Sequence, residues 1–148
     1  MTSQEGLRLR LTYTLPAPPA RVFAAWTEPD LLRQWWGPGA EVTCDPRPGG
    51  RYRWGARYDG AHLVVATGEF LAVERDRILQ FTFTWEGEEE SFATRVEVVL
   101  EPHGSATHLH LTHEGFDDER VCNQHESGWA AALDRLRQLL AAPDPPCS

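Results

Sequence analysis

Long apolar runs are missing from this chain. None approaches the roughly 18–20 residues a membrane-spanning helix needs. The stretch from Met1 to Leu11 alternates arginine with leucine and lacks the apolar block of a secretory signal, so a cytoplasmic protein is expected. Cysteine is scarce: Cys44, Cys122 and Cys147 are an odd number with no Cys-x-x-Cys spacing, which argues against a disulfide framework and a structural zinc site. Positive charge is outnumbered, with 14 basic against 22 acidic side chains and a net charge of −8. Such a surface repels phosphate backbones and disfavours nucleic-acid binding; its plainest role is solubility. No Gly-x-Ser-x-Gly elbow and no phosphate loop occurs.

What is present is globular. The 148 residues are 41% hydrophobic and 24% charged, outside the disordered range. One domain over residues 1–148 is expected, with 143–148 as a loose proline-rich tail. Six tryptophans are more than core packing alone usually requires. Each indole brings a large apolar area and one N–H that wants a partner. They suggest a groove for a flat ligand or an aromatic-rich core.

Leu7, Leu9, Leu11, Tyr13 and Leu15 alternate with polar residues and predict a strand with one buried face. Prolines 16, 18 and 19 end it, and Val22, Phe23 and Trp26 then fall at helical spacing. Thr27, Pro29 and Asp30 read as the cap, first turn and capping box of a second short helix, closed by Gly37-Pro38. From Glu41 to Glu114 the pattern is strands and turns. Asp59-Gly60 signals a hairpin, Leu79, Phe81, Phe83 and Trp85 alternate with polar residues, and Glu86 to Glu90 form an acidic turn. Phe92, Val96, Val98 and Leu100 share one face, and Thr107, Leu109, Leu111 and His113 the next. A helix from about Asp118 to Ala142 follows, with Cys122, His125, Trp129, Ala132, Leu133, Leu136, Leu139 and Leu140 on one side. The class is therefore α+β. About six to seven antiparallel strands curve around one long C-terminal helix, with two short helices after the first strand closing one end.

Several local sequences, in this order, resemble one known group. They are Pro-x-x-Arg-Val-Phe-x-x-Trp (Pro18 to Trp26), Trp35-Trp36-Gly37-Pro38, Asp45 to Gly50 followed by Tyr52, and Gly68-Glu69-Phe70. Phe81 to Trp85, Thr112 to Phe116 and Gly128-Trp129 complete the set. The chain resembles the SRPBCC (START-like) superfamily and, within it, the homologues of the activator of heat-shock protein 90 ATPase. That resemblance implies a helix-grip fold with a deep cavity between sheet and helix, and ligands as varied as lipids, sterols, polyketides and hormones. The activator that names the group carries a separate N-terminal domain, for which 148 residues leave no room, so a co-chaperone role is not expected.

Against this background the candidate ligand contacts are Trp35, Trp54, Phe81, Phe83, Trp85, Phe116 and Trp129. The ordinary reading of any one aromatic is core packing; the set points to a cavity. Gly128 interrupts the long helix at a cost of roughly 0.8–1 kcal/mol against alanine, either to leave space for a ligand or to pack closely on the second short helix. Thr94, Thr107, His113 and His125 share faces with apolar residues and could orient a ligand. A cavity histidine could also move a proton near neutral pH, although a satisfied core histidine is the commoner case. His108, His110 and Glu114 share a strand face at even spacing, as metal ligands can. Leu109 and Leu111 should face the core, however, and turn both histidines to solvent, so no metal is expected. Arg47 reads as anchoring a tight turn, and Arg51, Arg53 and Arg57 as a solvated stripe.

The resulting expectation is a binder of one small hydrophobic molecule, with no cofactor and no catalysis, and an edge strand that could pair two copies into a dimer. Two alternatives stay open. One is a cyclase or aromatase of the polyketide kind using His113 or His125. The other is an interaction module for a chaperone or another protein, which an exposed apolar patch would favour.

Overall fold

The computed structural model describes residues 7–87 and 93–141. The elements are β1 (Leu7–Leu15), α1 (Pro19–Thr27), α2 (Pro29–Trp35), β2 (Glu41–Cys44), β3 (Arg51–Ala56), β4 (Val64–Glu74), β5 (Ile78–Trp85), β6 (Thr94–His103), β7 (Ala106–Phe116) and α3 (Glu119–Ala141). Seven strands form one antiparallel sheet in the order β1-β7-β6-β5-β4-β3-β2. Strands β2 to β7 follow one another as a meander, while β1 pairs with the last strand. The two short helices carry the chain from one sheet edge to the other. This is an α+β, helix-grip arrangement. Phe92, Glu88 to Glu90 and the tail from Ala142 lie outside the described residues.

Alternation places the core. On β7 the buried residues are Thr107, Leu109, Leu111 and His113, while His108, His110, Thr112 and Glu114 face outward. At Gly115 the backbone turns to φ 101°, and the β1–β7 register slips between Leu7 and Arg8. This bulge brings Phe116 back to the interior, 4% exposed, three residues after His113. His108 and His110 lie beside Thr14 and Thr12 on the outer face.

Sheet curvature has a local cause at Gly68. A Cβ there would stand 1.9 Å from the Thr82 carbonyl oxygen, so only glycine permits this approach of β4 to β5. The Thr82 carbonyl instead accepts the Tyr52 hydroxyl at 2.6 Å, and the β4–β5 register shifts between Phe70 and Ala72.

Thr27 is a correction to the expected cap. It is the last residue of α1, and its hydroxyl donates to the Phe23 carbonyl at 2.9 Å. Glu28 occupies the N-cap of α2 and makes no side-chain cap bond. A threonine hydroxyl can bond back to the carbonyl four residues earlier, and here that outweighs capping the next helix. The Asp59-Gly60 hairpin joins β3 to β4 through a longer loop. Asp59 Oδ1 there accepts the backbone N–H of Ala61 and of His62. Of the predicted arginine stripe, Arg53 is exposed and tied to Glu86, and Arg57, half-buried just past β3, is tied to Glu41. Arg47 pairs with Asp45 in its own turn.

Helix α3 spans about 35 Å at 1.5 Å per residue. Cys122, Trp129, Ala132, Leu133, Leu136 and Leu140 are buried along it. It packs on β1, β7 and α2, so it lies over one side of the sheet and stands off β5. That offset creates the cleft described next.

Candidate functional site

Tryptophans fill most of the space between helix and sheet. Trp26 packs on Trp35, Trp54 and Trp129 with ring centroids 4.9, 6.3 and 5.8 Å away. Trp36 meets Trp54 at 5.1 Å and Trp129 at 5.6 Å. All five are at most 4% exposed. An indole hides roughly 150–250 Å² from water, about 4–6 kcal/mol of gross transfer free energy at 25 cal/mol per Å². An interior filled by its own rings is therefore strongly favoured over an empty one. The sixth, Trp85, stands at the rim, half-buried.

Where α3 stands off β5, a cleft of about 560 Å³ remains, within the size range of small-molecule sites. One wall is the edge of the aromatic core, Trp36, Phe83 and Trp85. The other is α3, which contributes Trp129 and where Ser127, Gly128, Ala131 and Ala132 keep the helix surface low. Gly128 decides between the two accounts of its presence. A Cβ built there meets nothing within 4 Å, so the helix does not pack closely at this point and the position opens into the cleft.

Two tryptophan–histidine pairs fix the floor. Trp129 Nε1–H donates to His113 Nδ1 at 3.0 Å. With Nδ1 accepting, the ring proton sits on Nε2 and is shared with Thr94 Oγ1 at 2.6 Å. The Thr94 hydroxyl then donates to the Phe83 carbonyl at 3.0 Å. The chain runs from α3 through β7 and β6 to β5 with every donor and acceptor used. Burial, with a smaller contribution from the neighbouring His125, pushes the His113 pKa down from 6.5 to about 3. The ring is neutral at any ordinary pH. In the second pair Trp85 Nε1–H donates to His125 Nε2 at 2.9 Å, and His125 Nδ1–H is used by the Val121 carbonyl at 2.8 Å.

The opposite end of the cleft is polar. Arg135 Nε and Nη2 donate to the carbonyls of Trp35 and Trp36 at 2.9 and 2.8 Å, capping the end of α2. Tyr58 leans over Gly37, where a Cβ would stand 3.4 Å from its hydroxyl. Burial raises the Tyr58 pKa, and the positive charge of Arg135 pulls it partly back.

With the geometry in place, comparison with known proteins is informative. The model of the family described as Activator of Hsp90 ATPase homolog 1-like protein matches residues 16–141. The chain belongs to that family. No curated protein matches. Among solved structures, protein CV1439 from Chromobacterium violaceum is 24% identical, with a TM-score of 0.80 over 93% of this chain and 99% of that one. Protein Mll3558 from Rhizobium loti is 28% identical, with a TM-score of 0.75 over 89% and 95%. The Aha1 dimer from Colwellia psychrerythraea is 18% identical, with a TM-score of 0.76 over 90% and 96%. The chain thus shares the fold of these three solved proteins over most of its length and theirs.

Of the side chains expected at a ligand site, Phe83, Trp85, His125 and Trp129 line the cleft. Trp35, Trp54, Phe81, Thr94, Thr107, His113 and Phe116 lie outside its lining. Trp35 spends its N–H on the Ala25 carbonyl at 2.8 Å, and Trp54 and Phe81 are fully buried in the ring cluster. Thr94 and His113 act from behind by holding Phe83 and Trp129. Sequence reasoning passed over Trp36, Tyr58, Gln124 and Arg135. Trp36 was signalled only by the Trp35-Trp36 pair. At about 100° per helical residue, two adjacent tryptophans point in different directions, and the second is the one on the cleft.

Proposed function

We propose that this protein binds one small, flat, largely apolar molecule in the cleft between β5 and α3, without transforming it. The supporting observation is the lining. An aromatic wall faces a helix on which the small residues Ser127, Gly128, Ala131 and Ala132 leave room between the larger Trp129, His125 and Arg135. Offset stacking and edge contacts to the indoles would provide most of the affinity. The family's fold is one associated with hydrophobic ligands, which agrees with this reading.

The cyclase reading has less support. A proton-transferring histidine needs a nitrogen within reach of substrate. Here both nitrogens of His113 and of His125 are already engaged. The docking-module reading rests on exposed apolar residues, which among the described residues are Leu7, Tyr58, Val64, Leu71 and Val121, and Tyr58 already belongs to the cleft lining. A second copy of the chain is a reasonable partner, because a similar solved protein is described as a dimer and β1 and β2 are sheet edges.

Native mass spectrometry of the purified protein, with tryptophan quenching by added aromatic compounds, tests the binding reading. A retained small molecule, or saturable quenching lost in Gly128→Leu, is the expected result. An empty protein whose quenching is the same in that variant would overturn it.

A further inference from the structure

We infer that the molecule bound in this cleft carries an anionic oxygen, a carboxylate or similar acid group on a flat apolar body, and that Arg135 receives it. The inference rests on the binding reading above and adds the chemical class of ligand. The protein has a net charge of −8, yet among the described residues no aspartate or glutamate lines the cleft. The single aspartate, glutamate, lysine or arginine among its lining residues is Arg135. In so acidic a chain, a site walled by rings with one cation at its end is selective for negative charge.

Arg135 is also held in place. Its Nε and one Nη2 hydrogen are fixed on the Trp35 and Trp36 carbonyls. A guanidinium has five N–H donors in a rigid fork, so the Nη1 side remains to meet a ligand. Among the described residues Arg135 has no carboxylate within ion-pairing distance, while Arg53, Arg57 and Arg137 each have one. One further donor stands at the same end. Tyr58 lines the cleft and is close enough to feel the Arg135 charge. A guanidinium with a phenol beside it at one end of an apolar slot suits an acid group with several lone pairs. At the far end the Trp85 and His125 nitrogens are paired with each other and with the Val121 carbonyl, leaving the ring faces to meet the hydrocarbon.

The test uses two fluorescent probes of one ring system: 8-anilinonaphthalene-1-sulfonate, which is anionic, and N-phenyl-1-naphthylamine, which is neutral. Both are titrated into the wild-type protein and into Arg135→Met, Arg135→Gln, Arg135→Lys and Gly128→Leu. Wild type should bind the anionic probe about tenfold or more tightly than the neutral one, and added salt should shrink that ratio. Arg135→Met should abolish the preference with the neutral probe unchanged, and Arg135→Lys should keep part of it. Arg135→Gln retains donors for the two carbonyls without the charge, so it answers the same question should Arg135→Met fold poorly. Equal affinity for both probes in wild type, with both lost in Gly128→Leu, overturns the acid inference and leaves the cleft standing. A preference that survives Arg135→Gln overturns it as well. Binding of neither probe, or binding indifferent to Gly128→Leu, removes the cleft reading and this inference together.

Discussion

Acid should destabilise this protein through His113. The ring is 0% exposed, and its folded pKa is pushed from 6.5 to about 3. Below pH 6.5 the unfolded chain takes up a proton that the folded chain refuses. The unfolded state then binds more protons, so stability falls as pH falls. The contribution is complete above 6.5, is lost progressively below it, and levels off near 3. At pH 5 the loss is RT ln(1 + 10^1.5), about 2 kcal/mol, and any folded value below about 4 gives the same figure. Structurally, the added proton would sit on Nδ1, where the Trp129 N–H now donates, and would put two donors face to face. The assay is urea unfolding of wild type and His113→Asn at pH 8 and pH 5. The variant loses packing at both values, and the other titrating groups act on both proteins alike. The stability gap between them should therefore narrow by about 2 kcal/mol at pH 5. A gap unchanged between pH 8 and pH 5 would refute the reasoning, because His113 would then be protonating freely in the folded state.

Two glycines give predictions of opposite sign. Gly128→Ala places a methyl in open space on a helix and should stabilise the protein by about 0.8–1 kcal/mol, roughly 2–4 °C in Tm by calorimetry; a lower Tm would mean the position is occupied. Gly68→Ala drives a Cβ into the Thr82 carbonyl and should cost about 3 kcal/mol or more, read as a fall in the urea midpoint; a neutral result would mean β4 straightens without penalty.

Much of this molecule is written in local pattern. Period-two alternation from Leu7 to Leu15 and from Thr107 to His113 marks strands and their buried faces, because side chains on a strand alternate regardless of what they meet. The apolar stripe of α3 is equally local. Thr27 shows the limit of such reading: its spacing to Asp30 fits a capping box, but the choice between capping α2 and bonding back into α1 depended on where α1 ended. Gly68 and Gly115 were visible only as residues. That one bends β4 and the other returns Phe116 to the core follows from their partners on neighbouring strands.

The sequence by itself determined the class of fold, the order of its elements and an interior unusually rich in tryptophan. Tertiary structure decided which of those rings stay wholly within the core and which three, Trp36, Trp85 and Trp129, edge the cleft. It also placed Arg135 at the end of α2, about 100 positions away in the chain. The physical reason is that periodicity reports which face of an element is buried, while a cleft is made by the angle and offset at which two elements meet. Here α3 settles over β1 and β7 and stands clear of β5. That offset is set by the bulk of the indoles beneath the helix, a packing that exists only once the chain has folded.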